Sequence, residues 1–357
     1  MKTNLYIISS AAISPLQAME EDKLRSEWTA TGSNKARCIE PNYKDYIPSI
    51  KARRMSRILK MTWVSANRSI ENASATIPQM ISVATGMGCQ SDTLKFLEQL
   101  IRDKEKYLKP TAFINSTHNT LAGFLAIGLK AKGQNFTFTH SELNFEHALL
   151  DTALRMQNKE VENALVGAVD ETNDQTHRIK EQMGLLRKED NNKPILPSNG
   201  EAYIDGEAAV FFYLESTNSP KAKTKISSLD FKYAINKEDE LNKALLLFIK
   251  DLNIEFKDID YIVLGCTGDY KADMLIEKWK EKEQLQHKSL YFKHISGEYM
   301  SSAAFGLWLS SKIIEQNKVP KYLNSTSISA CISIQRILLI NHNGQSNYSF
   351  TLIENNE

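Results

Sequence analysis

The feature that most constrains this chain is an alternation of two periodicities. Short apolar runs rich in β-branched and aromatic residues recur at 5–13, 80–84, 111–114, 136–139, 163–169, 208–215, 259–265, 337–341 and 348–353. Runs of this length and composition read as strands. Between many of them lie segments whose apolar residues return every third or fourth position. In 56–73, Leu59, Trp63, Ala66 and Ile70 share one face, and 93–102, 120–131, 143–157, 239–252, 272–282 and 300–316 follow the same rule. Strands alternating with helices imply a layered α/β fold. Two polar stretches read as loops: RKEDNNKPILPSNG at 187–200 and NSPKAKTK at 218–225. The second is the expected boundary between two halves, 1–217 and 218–357, a division that suits a chain of 357 residues.

Composition bounds the function. The 44 basic and 43 acidic residues leave a net charge of +1. That balance gives no electrostatic case for nucleic acid or an anionic membrane. No apolar stretch approaches the ~18 residues of a membrane span. Near the N-terminus, IISSAAIS is broken by serines and soon followed by EEDKLR, which reads as a first buried strand rather than a signal peptide. The four cysteines, Cys38, Cys89, Cys266 and Cys331, have neither metal nor redox spacing and suit a reducing compartment. The expected location is the cytoplasm.

One passage invites a chemical reading. NFTFTHSELNFEHALLDTALRMQ at 135–157 runs from strand to helix through His140, Ser141 and Glu142. Ser141 could be a nucleophile with His140 or His147 as base. Yet no glycine flanks the turn, as an exposed nucleophile elbow needs. Adjacent side chains on a strand diverge. The favoured reading makes Ser141 the helix N-cap and puts Glu142 at the positive helix end. Cys266 is the other candidate nucleophile, and nothing beside it in sequence lowers its pKa. Asp269 and Asp273 stand one helical turn apart, but two carboxylates without a third ligand read as a solvated helix start. No metal and no cofactor is expected. His118 reads as a polar core residue. KARRMSR at 51–57 reads as a solvated basic face that could meet an acidic carrier protein. FFY at 211–213 reads as core.

Seven stretches, in order, resemble the β-ketoacyl synthases of the thiolase fold. They are RRMSRILKMTWVSANRSI, VATGMGCQSDTLKFLEQL, PTAFINSTHNTLAGFLAIGLKAKG, ALVGAVDE, DGEAAVFFYLES, KHISGEYMSSAAFG and INHNGQSNYSF. The resemblance implies two similar βαβ halves in α-β-α-β-α layers. It also implies where the chain departs from that family. A synthase carries its acyl group on a Cys at the strand-to-helix turn, where this chain has Glu142. Its first catalytic His falls on Gly265 and its second on Glu298. Lys293, Gly297, Gly344 and Asn347 keep the family's residues. A carboxylate cannot be acylated and transfer as a thiolate does, and two imidazole donors to a developing enolate are missing.

The expectation is therefore a subunit that is not catalytic on its own. It resembles the chain length factors, which pair with an active ketosynthase and in which the Cys is replaced, usually by Gln. Glu142 matches that Gln in shape and departs from it in charge. The resemblance implies a heterodimer with an intact ketosynthase and contact with an acyl carrier protein. It implies a role in polyketide, aryl polyene or flexirubin-like, or fatty-acid-like chain elongation. The alternative is a divergent acyl-transferring synthase or hydrolase using Ser141 or Cys266.

Overall fold

The structure, a computed structural model, describes every residue except 22, 30–31, 76, 109, 189–201, 324–331, 343, 345 and 357. Cys331 and most of the expected loop at 187–200 lie outside the described residues.

The first part of the chain runs β1 (Lys2–Ile13), β2 (Lys35–Ala36), α1 (Ser49–Ala52), α2 (Arg57–Ala73), β3 (Met80–Ala84), α3 (Gln90–Arg102), α4 (Pro110–Asn115), α5 (Thr120–Leu129), β4 (Gln134–Phe138), α6 (Asn144–Gln157), β5 (Asn163–Asp170), α7 (Asp174–Gln182), β6 (Asp205–Gly206) and β7 (Ala208–Glu215). The second runs β8 (Thr224–Lys232), α8 (Glu238–Asp251), β9 (Tyr261–Gly265), α9 (Tyr270–Lys282), β10 (Ser289–Tyr291), α10 (Lys293–Ser296), α11 (Ala303–Gln316), β11 (Arg336–His342) and β12 (Tyr348–Asn355).

Among the described residues, ten strands form one sheet in the order β10-β9-β11-β12-β8-β1-β7-β5-β3-β4. From its centre outward the same pairing occurs twice. β1 is antiparallel to β7 and β7 to β5, and β5 and β4 flank β3 in parallel. Likewise β8 is antiparallel to β12 and β12 to β11, and β11 and β10 flank β9 in parallel. β1 and β8 pair antiparallel and join the two sets.

Three cores divide this arrangement into layers. Phe145 and Leu149 of α6 and Phe305 and Leu309 of α11 pack between Val166 and Val210 on one side and Val263 and Leu339 on the other. Leu59 and Met61 of α2, with Leu121 and Leu125 of α5, cover the far face through Ile81, Val83 and Leu165. Leu245 and Phe248 of α8, with Ile276 and Trp279 of α9, cover the opposite far face through Ile262, Leu338 and Phe350. The fold is thus helix, sheet, helix, sheet, helix, the thiolase-like arrangement expected from the sequence. Residues 165 and 166 face different cores, which is why β5 reads as an unbroken apolar run.

Several expectations need correction. The run at 111–114 is helical, in α4; Pro110 at its first position supplies a φ already suited to a helix start. β8 begins at Thr224 and takes the end of the expected loop at 218–225. α7 had no apolar stripe to announce it. His118 is exposed rather than in the core.

Candidate functional site

β4 ends at Phe138, and α6 begins after an N-cap at Leu143, which offers no side-chain cap. Ser141 lies two residues before that cap and is exposed, so the expected Ser141 cap is not made. Glu142 likewise precedes the helix. Ahead of the helix, His140 Nδ1 accepts from the backbone N–H of Glu142 at 3.2 Å and of the N-cap Leu143 at 3.3 Å. That lone pair is committed and cannot serve Ser141 as a base. The ring is fixed edge-on against His147 at 5.0 Å, and His147 Nε2 meets Tyr233 Oη at 2.8 Å.

Glu142 turns inward from this turn and lines a cavity of about 430 Å³ together with Asp170, Glu171, Lys180, Glu298 and Met300. This is within the size range of small-molecule sites. The Asn347 amide donates to Glu142 Oε2. One helical turn on, Glu146 is wholly buried. It accepts from Ser349 Oγ at 2.7 Å and from Asn341 Nδ2 at 3.4 Å. Burial pushes its carboxyl above the usual range, against these hydrogen bonds.

Gly265 closes β9 opposite Asn341. A Cβ there would fall 2.3 Å from Asn341 Oδ1, so the Asn341 side chain fills the space into which a longer residue at 265 would project. Glu298 is buried on the other side of α10. Its Oε2 lies 2.6 Å from Nζ of the fully buried Lys293, which also donates to the His342 carbonyl. Burial raises the Glu298 carboxyl, and the Lys293 charge opposes the rise. Gly297 has φ +70°, and a Cβ on it would meet Gly206 Cα at 2.4 Å; only glycine fits. Gly344 also holds a positive φ, +88°. The structure thus brings Glu142 and Glu298 to one cavity, held by Asn347 and Lys293. Gly265 is tied to the same region through Asn341 and Glu146.

Other sequence candidates fall elsewhere. The Cys266 thiol is buried, and burial, with Asp273 and Glu277 nearby, pushes it well above its ordinary value. Asp273 is 4% exposed and accepts from the backbone N–H of Thr267 and Gly268, both at 2.8 Å. It is a buried anchor and not part of a solvated helix start; Asp269 alone caps α9, accepting from Lys271 N. In the basic run at 51–57, Arg53 and Arg54 are exposed. Arg57 turns inward and grips the buried Glu207 carboxylate with two nitrogens at 2.6 Å each. The 211–213 aromatics are core, as expected.

Several acids of the site region escaped sequence reasoning, Asp170 and Glu207 among them. Asp170, on the cavity wall, accepts from Gly86 N at 2.8 Å, Thr85 Oγ1 at 3.1 Å and Ser301 Oγ at 2.6 Å. Burial raises its carboxyl all the same. Glu207 binds Arg57, Thr172 N and Cys38 N. Acids at the edge of an otherwise apolar run, as in ALVGAVDE and DGEAAVFFY, were the signal for both.

Chemically, the cavity wall offers four carboxylates, one ammonium and several hydroxyls, that of Ser141 among them. Among the described residues it carries no cysteine and no histidine. Acyl transfer through a thioester needs a thiolate, and none faces this space.

A family model described as the β-ketoacyl synthase N-terminal domain matches residues 26–186. No curated protein matches the chain. Among solved structures, the ishigamide ketosynthase/chain length factor shares 14% identity over 100% of both chains, with a TM-score of 0.76. A β-ketoacyl synthase from Burkholderia phymatum STM815 shares 12% over 100% of both, at 0.79. A ketosynthase in complex with its chain length factor, from Xenorhabdus doucetiae, shares 13% over 99% of this chain and 98% of that one, at 0.72. At these identities the likeness is one of fold. The chain shares the fold of these ketosynthases, and its residues 26–186 match the model of the β-ketoacyl synthase N-terminal domain.

Proposed function

We propose that this chain is a non-catalytic, chain length factor-type subunit. It pairs with an active ketosynthase in polyketide, aryl polyene or fatty-acid-like chain elongation. Its two halves are 1–217 and 218–357, and it works in the cytoplasm beside an acyl carrier protein. The observation that carries this reading is the cavity wall. Glu142, aligned with the family's Cys, is tied to Asn347 there, and Glu298, aligned with a family His, is tied to Lys293. An acid in each place supports a wall and argues against an acyl-transfer centre.

The pairing surface follows from the sheet. β4 lies at an open end, its residues only half-buried. Beside it, Ile127 of α5 is 82% exposed. An unpaired β-prone edge flanked by apolar surface is a liability unless covered. The ketosynthase would cover it, with an interface in the obligate class, above about 2,000 Å². Co-expression with an intact ketosynthase from the same genome tests this. A stable one-to-one complex is expected from the wild-type chain. Phe138→Pro removes a ladder donor and should abolish the complex. A wild-type chain that stays monomeric beside its partner at micromolar concentration refutes the reading.

The second test is chemical. The chain alone should release no carbon dioxide from a malonyl carrier protein above background. Glu142→Cys should recover little, because groups that act together fail together. Release that disappears on Glu142→Ala would show a working enzyme instead.

A further inference from the structure

We propose that Cys266, Asp273 and His342 form a binding site for one divalent transition-metal ion, zinc by preference, separate from the carboxylate-lined cavity. Three neighbouring elements supply the ligands. Cys266 follows the last residue of β9, Asp273 sits in the first turn of α9, and His342 ends β11, the strand beside β9. All three are buried, and one ligand atom from each lies within 4.8 Å of the others.

The donor set fits zinc. Thiolate, imidazole and carboxylate are its usual ligands, and three protein ligands leave a fourth tetrahedral position for water. Charge fits too. A thiolate and a carboxylate together cancel a divalent cation, as burial requires. The nearby Lys293–Glu298 pair is neutral as a pair. On binding, the Cys266 proton leaves to solvent.

Two further observations separate this cluster from an ordinary polar core. His342 Nε2 lies 3.1 Å from Asp273 Oδ1, yet out of line, so this buried nitrogen makes no hydrogen bond. Two groups turned toward a common third point have this geometry. Asp273 is also held from outside. Thr267 N at 2.8 Å and Thr267 Oγ1 at 3.1 Å bind its Oδ1, and Gly268 N at 2.8 Å binds Oδ2. A carboxylate has about four acceptor sites, so one remains open on an oriented group. Such outer support is what fixes a ligating carboxylate.

Binding has a structural consequence. His342 Nδ1 now accepts from Gly344 N at 3.0 Å. Coordination through Nε2 places the ring proton on Nδ1 and breaks that contact. Gly344 N then loses its acceptor, three residues before Asn347, whose amide holds Glu142.

The test is a titration of the untagged, chelator-stripped full chain with cobalt(II), then with zinc. One equivalent of cobalt and a thiolate-to-cobalt charge-transfer band are expected, and zinc should abolish the band. Cys266→Ser should remove the band, and His342→Gln should weaken binding at least tenfold. Less than half an equivalent bound by the wild-type chain, or a band that survives Cys266→Ser, overturns the site. If Cys266→Ser does not fold, X-ray absorption on the zinc-loaded wild type decides. One sulfur in the zinc shell supports the site, and none overturns it.

Discussion

His294 is 5% exposed in α10, with its Nε2 at 2.9 Å from the Tyr322 carbonyl and its ring edge-on to Trp28 at 5.3 Å. Burial pushes its pKa down to about 4. An unfolded chain takes up this proton near pH ~6.5. Between those values the unfolded state binds more protons, so stability falls as pH falls, and is full above the unfolded value. The loss by pH 4 amounts to about 3 kcal/mol. His294→Gln keeps a donor for Tyr322 and should flatten the profile of Tm against pH between 6.5 and 4.5. Parallel profiles for variant and wild type would place the acid sensitivity elsewhere. At this scale the sequence was an uneven guide. Glu142, Glu298 and Lys293 were found by motif order. The Glu146 contacts to Asn341 and Ser349 were not, because their partners stand 195 and 203 residues away. Asp273 was misread because spacing alone cannot tell a solvated acid from one that anchors a turn.

At the scale of elements, the turn leading into α6 is held by an imidazole, whose Nδ1 accepts from the N–H of the N-cap Leu143 and of Glu142 before it. His140→Ala leaves the N–H groups of Glu142 and Leu143 without that acceptor. The expected cost is about 1 kcal/mol, read from the midpoint of urea unfolding. His140→Asn, with a short acceptor of its own, should restore part of it. A silent His140→Ala would mean that solvent serves these donors equally well. Strong apolar periodicity was legible here: β3 and β7 fall at their expected limits, and α2 and α6 begin one residue later than expected. Weak or short patterns were not. TAFI fits a strand or a helix equally well, and only the preceding proline tips it. TKISSLDFK mixes charge with apolar residues, because β8 is buried along only part of its length.

For the whole molecule, the two sets of strands are inseparable in energetic terms. They share the β1–β8 pairing, and one core draws residues from both around α6 and α11. The chain should therefore unfold in one cooperative transition. Tryptophan fluorescence reports Trp28 and Trp63 in one half and Trp279 and Trp308 in the other, and its midpoint in urea should coincide with that of far-ultraviolet circular dichroism. Two resolved midpoints would show halves that fold independently. The repeated pairing order was legible only as a family resemblance, since the halves share little residue identity and topology leaves no local mark on a sequence.

The sheet also has two unlike ends. β4 offers five residues, four half-buried and Asn135 exposed, whereas β10 is three residues long and fully buried. In the language of polymer chemistry, a monomer with two reactive ends grows into a fibre, and one with a single reactive end is a stopper. Joined to another chain through β4, as proposed above, this molecule would act as a stopper, because the strand at the other end of the described sheet is short and buried.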